Sequence, residues 1–318
     1  MNAFDIFVDS GANIPDNLVK KHGIGVIPYS CTVNGEERLC YEKDFAFVET
    51  AKKYYEDLRN GADIKTSLIG TDRIIQYITP SLEAGKDVIL FTISSGISGT
   101  YNQAVNAKKE LEEKYPNCKI YVCDSANASM GSGLLALKVA NLRDMGESAQ
   151  SCAEWAAENT YKINSYLTVA DLKYLKKSGR ISATLAIAGT LLNIKPVLRA
   201  DGGSPAKIVS FGKERGRKKA LTALADAFSE NVENPEAQTV AICHADCEED
   251  ASELAELVKA RGAKDVIIEY YDLCTGSHVG PGTVALFFYG KDRRGAAAEA
   301  QKKTAGNPFS QKIKTNNL

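Results

Sequence analysis

Short β-rich runs that alternate with helical ones constrain this chain more than any other feature of its sequence. Residues 4–8, 25–33, 88–93 and 120–123 read as strands, and residues 45–58, 73–82, 101–114 and 133–143 read as helices. A strand followed by a helix and another strand forms a parallel pair, so this half should be a largely parallel sheet covered by helices. In such sheets binding sites lie at the C-terminal ends of the strands. Three of these ends carry small polar residues: Asp9-Ser10-Gly11, Ser94-Ser95-Gly96 and Asp124-Ser125-Ala126-Asn127. All three are expected to open towards one crevice.

After a helix over 149–159 the pattern changes. Strands are expected at 165–169, 195–199, 206–211, 239–243, 266–271 and 284–289, with helices at 170–177, 183–192, 218–230 and 251–261. The short glycine turn Asp201-Gly202-Gly203 joins two of these strands, so part of this second sheet should be antiparallel. The expected fold class is α/β with two α/β domains. Residues 1–160 would form a mainly parallel sheet with flanking helices, and residues 161–290 a mixed sheet with helices. Residues 291–318 are expected to be an extension that starts as an alanine-rich helix and ends in a mobile, lysine-rich tail.

A chain of 318 residues, 44% hydrophobic and 25% charged, can bury two cores. Its formal net charge of −1 argues against a nucleic-acid partner or a membrane-surface protein. No apolar run is long enough to span a bilayer. The N-terminus runs straight into Asp5-Ile6-Phe7-Val8-Asp9 without a basic region and apolar signal core, which makes the cytoplasm the expected location. Eight cysteines are scattered through a chain too long to need a disulfide framework, so reduced thiols are expected. Cys243-His244-Ala245-Asp246-Cys247 is the one cluster with metal character, and no second Cys/His pair completes a tetrahedral set. No metal and no cofactor are predicted.

The richest chemistry lies in Ile93-Ser94-Ser95-Gly96-Ile97-Ser98-Gly99-Thr100-Tyr101, which puts four Ser/Thr hydroxyls and two glycines where an apolar strand gives way to a helix. Free backbone N–H groups and the helix dipole favour an anion there, and glycines let the backbone approach it. A Ser/Thr-capped turn without a ligand fits these residues equally well. No phosphate loop and no Gly-x-Gly-x-x-Gly follows the first strand, so nothing supports ATP or NAD binding. Gly96-Ile97-Ser98-Gly99-Thr100 nearly matches a hydrolase nucleophile elbow, lacking only the last glycine. Ser98 followed by Asp246 or Asp272 and then His278 keeps the hydrolase order. A lipid or acyl esterase with Ser98 as nucleophile is therefore a second reading.

Several segments in order resemble the DegV family of bacterial fatty-acid-binding proteins over about residues 4–290. They are Val8-Asp9-Ser10, Lys65-Thr66-Ser67, the Ser94 to Tyr101 turn, Asp124-Ser125, LKYLKKSGRIS at 172–182, Asn193-Ile194-Lys195-Pro196-Val197, Lys213-Glu214-Arg215-Gly216-Arg217, and Gly276-Ser277-His278-Val279-Gly280-Pro281-Gly282. The resemblance implies a long-chain fatty acid in a tunnel between the two domains. Its carboxylate would be held by Thr66 and Ser98, with His278 in the same hydrogen-bond network and Ser95, Gly96 and Gly99 around it. It further implies a carrier, not an enzyme: a separate ATP-dependent fatty acid kinase would phosphorylate the presented carboxylate, and the acyl phosphate would enter phospholipid synthesis. Arg180 and Arg215 would serve that partner. A tail of about 16 carbons, at roughly 0.8 kcal/mol per buried CH₂, contributes about 12 kcal/mol before ordering costs, so the tail dominates affinity and the hydroxyls fix the head group. Two departures from the family pattern lie beside these motifs: Val8 replaces the usual threonine, and Leu68-Ile69-Gly70 follows Thr66-Ser67 where Gln-Pro is common.

Overall fold

The computed structural model describes residues 4–41, 47–181 and 193–295. The first half forms the expected parallel sheet, in the order β2-β1-β6-β7, from β1 (Phe4–Asp9), β2 (Ile24–Ile27), β6 (Asp87–Thr92) and β7 (Ile120–Asp124). Val88 to Thr92 are buried without interruption, as a strand covered on both faces requires. Four helices accompany it: α3 (Thr71–Glu83), α4 (Thr100–Lys114), α5 (Met130–Asp144) and α6 (Ala149–Asn159). A short α1 (Asp16–His22), not expected from the sequence, links β1 to β2.

The strand expected over 25–33 is two strands in two sheets. Pro28 has no N–H to donate to a ladder, and the chain turns there from β2 into β3 (Ser30–Val33). β3 pairs antiparallel with β4 (Glu36–Leu39) and β5 (Ile64–Ser67) in a three-stranded sheet absent from the sequence reading. Asn34 and Gly35, both at positive φ, close the β3–β4 hairpin. Helix α2 (Phe47–Arg59) connects β4 to β5.

The second half forms a six-stranded mixed sheet in the order β10-β9-β8-β13-β11-β12. Its strands are β8 (Ile163–Thr168), β9 (Ile194–Ala200), β10 (Ile208–Arg215), β11 (Thr239–His244), β12 (Asp265–Tyr270) and β13 (Val284–Tyr289). β9 and β10 are antiparallel across the turn at Asp201, as expected. α7 (Lys173–Ser178) begins three residues later than expected because Asp171 accepts the Lys173 N–H at 2.8 Å. The helix expected over 183–192 and nearly all of the extension beyond 290 lie outside the described residues.

Two cores result. α8 (Arg217–Asn231) and α9 (Glu248–Lys259) cover one face of the mixed sheet, with Val284, Leu286 and Phe288 of β13 pointing into that layer. Ala285 and Phe287, one step out of phase, point to the other face, whose core is continuous with the parallel sheet. α5 packs against β1 and β6 on one side and β8, β11 and β13 on the other, and its buried residues fall on every side of the helix. Side chains tie the halves together further. Asn127 donates to Ile163 O (2.9 Å), and Tyr54 and Tyr55 of α2 donate to Leu273 O (2.6 Å) and Tyr271 O (3.0 Å).

Candidate functional site

Where the three sheets meet, they enclose a cavity of about 260 Å³. Its walls come from β5, β8, β13, α7, and the turns after β6 and β7. One further wall is α10 (Leu273–Val279), a helix to which the sequence reading assigned no element. Asp272 starts α10 by accepting the N–H groups of Cys274 (2.8 Å) and Thr275 (3.0 Å). The cavity exceeds the roughly 150 Å³ void that holds a benzene molecule.

Most of the lining is apolar, with Ile93, Ile97, Leu167, Leu175, Val279 and Phe287 among it. Several polar wall residues are already paired. Asn127 bonds Ile163 O and the Ser165 hydroxyl, and Ser129 donates to Asn13 Oδ1 at 3.1 Å.

Thr66 and Ser98 both present hydroxyl groups to the cavity. Thr66, on β5, has its Oγ1 3.0 Å from His278 Nε2 on α10. It does not cap the helix after Gly70, which has no side-chain cap. Ser98 Oγ accepts the Thr100 N–H (3.2 Å), donates to Thr100 Oγ1 (3.0 Å) and lies 3.4 Å from Tyr29 Oη. Capping and facing the cavity are therefore compatible roles for Ser98. Tyr29 Oη donates onward to Asp9 Oδ2 (3.3 Å), which also accepts the Ile93 N–H at 2.7 Å. A buried chain thus runs from Ser98 through Tyr29 to the end of β1.

Burial, reinforced by the charge of Arg180, lowers the His278 pKa to about 4, so this imidazole is neutral at pH 7. The positive field that disfavours a proton on His278 favours a carboxylate beside it. Burial pushes Asp9 up to about 7, against its hydrogen bond from Ile93. Burial also raises Tyr29 well above the usual phenol range, so its hydroxyl keeps its proton.

Of the residues singled out by sequence, Thr66, Ser98, Gly99 and His278 line this cavity. Ser95 and Gly96 do not. The Ser95 hydroxyl is taken by Asp124 Oδ2 at 2.5 Å, and Gly96 lies against the chain near Pro205, where an added Cβ would sit 2.2 Å from Ala206 O. Arg180, expected at a partner face, is half-buried in the cavity wall, its Nε donating to Ile97 O at 3.3 Å. Arg215 is exposed at the end of β10, outside the cavity. Asp9, Ser10 and Gly11 also lie outside it, so the crevice expected from three strand ends is built on two of them. Tyr29 was missed: as a lone aromatic after a proline, it carried no sequence signal.

The hydrolase constellation is not assembled. Ser98 is bonded to Tyr29 and Thr100, His278 to Thr66, Asp246 to Arg59 (2.5 Å), and Asp272 to its own helix. No imidazole stands at the Ser98 hydroxyl to activate it. In the Cys243 to Cys247 segment, His244 Nδ1 accepts the Cys247 N–H (3.3 Å) and the Cys247 thiol donates to Thr283 O (3.3 Å). Among the described residues no set of three or more His, Cys, Asp or Glu side chains is arranged to hold a metal ion, and no helix is long and apolar enough to cross a membrane.

The family model described as "Uncharacterised protein, DegV family" matches residues 3–291. The chain belongs to the DegV family. A DegV domain-containing protein of Clostridium perfringens is 37% identical over 291 residues, which cover 91% of this chain and 98% of that protein. The fatty-acid-binding DegV family protein of Thermus thermophilus superposes with a TM-score of 0.80 at 25% identity, covering 91% of this chain and all of that one. A Thermotoga maritima protein, described as revealing fatty acid binding function, superposes with a TM-score of 0.77 at 27% identity, covering 92% of this chain and all of that one. The DegV match ends at the close of the mixed sheet, so the extension lies beyond it.

Proposed function

We propose that this DegV protein binds a long-chain fatty acid in the central cavity and presents its carboxylate to a separate, ATP-dependent fatty acid kinase. The observation that carries this reading is the pairing of an apolar cavity with two hydroxyls, Thr66 and Ser98, and a neutral imidazole, His278, under the positive field of Arg180. A buried carboxylate needs donors and a favourable potential, and these residues supply both. Binding of fatty acid by family members of the same fold supports it. For Thr66 to donate to the ligand, His278 Nε2 must carry the ring proton and donate to Thr66 Oγ1, which frees the threonine hydrogen.

The chain itself would be a carrier in the cytoplasm. The kinase would bring ATP, and the acyl phosphate would serve phospholipid synthesis. A carboxylate held by fixed hydrogen bonds is a suitable phosphoryl acceptor once the partner covers it. Arg180, at the cavity, and the exposed Arg215 are the cations assigned to that encounter. In this reading the chain divides near residue 160 into the parallel-sheet and mixed-sheet units.

Native mass spectrometry before and after organic extraction tests the ligand. A stoichiometric long-chain acid that is lost on extraction and rebinds supports the proposal. Failure of carefully delipidated protein to take up any long-chain acid overturns it. Serine-reactive phosphonates are expected to leave Ser98 unlabelled.

A further inference from the structure

Three free cysteines, Cys31, Cys40 and Cys274, converge beside the central cavity. Cys40 follows β4 and continues its ladder, its N–H donating to Tyr29 O at 2.8 Å. Because Cys31 on β3 pairs with Arg38, Cys31 and Cys40 are diagonal neighbours on one face of the small sheet. α10 lies over that face: Thr66, the β5 partner of Cys31, is 3.0 Å from His278, and Cys274 sits one helical turn before His278. The Cys40 thiol is within hydrogen-bonding reach of the Cys274 and Cys31 thiols. Tyr54, whose hydroxyl donates to Leu273 O at 2.6 Å, stands beside all three. We propose that Cys274 and Cys40 are a thiol pair that a hydroperoxide entering the central cavity oxidises to a disulfide.

Cys274 lines that cavity, whereas Cys31 and Cys40 do not. The cavity wall runs out to Leu68, which is 47% exposed, and to the exposed Lys207, so a small oxidant has a path to Cys274. The first step is therefore placed there. The Cys274 sulfur, as thiolate, attacks one peroxide oxygen; an S–O bond forms, the O–O bond breaks, and the departing hydroxide takes up the proton that the thiol gave up. The Cys40 sulfur then attacks the sulfenic sulfur; the S–S bond forms, the S–O bond breaks, and the second hydroxide leaves as water with the Cys40 proton. Both sulfurs are oxidised and the peroxide is reduced to water. Cys31 is the poorer partner for Cys40, because diagonal strand neighbours stand about 7–8 Å apart, beyond the roughly 4.4–6.8 Å between the Cα atoms of a disulfide. It serves instead as a hydrogen-bond acceptor: the bond from Cys40, helped by the charge of Arg38, lowers the Cys31 pKa, while the bonds to Cys274 and Cys31, with burial, push Cys40 up. The disulfide would tie α10, and His278 with it, to the end of β4.

This inference is independent of the fatty-acid reading, because the oxidation needs an open cavity and no particular ligand. The test treats full-length, delipidated protein, reduced and then freed of reductant, with hydrogen peroxide at neutral pH. The folded protein is alkylated with N-ethylmaleimide and digested without reduction, and mass spectrometry of the peptides reads the linkages. A Cys40–Cys274 linkage that dithiothreitol removes is expected as the main disulfide. Cys31→Ala should still form it. In Cys40→Ala the reaction should stop at the Cys274 sulfenic acid, which dimedone captures. The wild-type peptide map carries the test if a variant does not fold. No Cys40–Cys274 linkage, a Cys31–Cys40 linkage in its place, or no dimedone capture of Cys274 in folded Cys40→Ala overturns the proposal.

Discussion

Ala285 sits on β13 with its methyl on the cavity side, while Val284 and Leu286 face the opposite core. Ala285→Leu therefore adds three carbons to the cavity wall and leaves the layer under α8 and α9 untouched. If each added carbon displaces one methylene of a bound tail, the loss is about 2.4 kcal/mol at roughly 0.8 kcal/mol per CH₂. That corresponds to an affinity about fiftyfold weaker for a full-length acid. An acid shorter by about three carbons should lose far less, so the preferred chain length moves down rather than all lengths weakening together. Calorimetric titration of delipidated wild type and variant against a series of saturated acids reads this directly. Overpacking itself costs about 1–3 kcal/mol of stability, so thermal unfolding of the ligand-free variant must first show a folded protein. A uniform loss across the series, or none, would mean that the tail does not run past Ala285, and the placement of the ligand would have to be abandoned.

Other perturbations reach the head-group end and the scaffold. Ser98→Ala removes one hydroxyl from the proposed carboxylate clasp and should weaken fatty-acid binding by about 1.5–3 kcal/mol, tenfold to over a hundredfold, in the same titration; an unchanged affinity contradicts the clasp. The Asp9 carboxyl has a folded pKa near 7 against 3.8 in the ordinary state, so its contribution to stability is full at low pH and is lost as pH rises through 7. Asp9→Asn should therefore gain stability relative to wild type as pH rises from about 4 to about 7 in urea unfolding, and parallel profiles refute the shift. His278 has the opposite sign: with a folded pKa near 4, its contribution is present above about 6.5 and is lost as pH falls through 4. Gly276→Ala places a Cβ 2.0 Å from Tyr55 Oη and should cost about 1–3 kcal/mol. In a Tyr55→Phe background that cost should shrink, and strict additivity would show that the two groups do not meet.

How much of this was legible varies with the physics that shapes each element. The parallel sheet was readable because strands covered on both faces must be uniformly apolar, as Val88 to Phe91 are. The small three-stranded sheet was not, since Glu36 to Leu39 are all exposed and carry no alternation. The Asn34-Gly35 pair was the one hairpin signal, and it was passed over in favour of a single long strand through Pro28. α10 escaped notice because seven residues containing a glycine make a weak helical pattern, and only the Asp272 cap marks its start. Thr66, Ser98 and His278 were assigned through family resemblance. No spacing rule joins a strand, a turn and a helix separated by up to 212 residues. Arg180 was read as a surface cation because its burial depends on Ile97, a partner 83 positions away.

The all-round burial of α5 bears on modularity. A helix buried on every side over its first eight residues, Met130 to Leu137, cannot be inherited by one half of the protein and spared by the other. Cutting the chain near residue 160 would strip α5 of β8, β11 and β13 and leave the mixed sheet with a bare apolar face. Neither fragment would be soluble alone, and the intact chain should melt in a single transition. The two sheets therefore share one fate: they cannot be shuffled as independent cassettes, and substitutions along α5 must satisfy both neighbours at once.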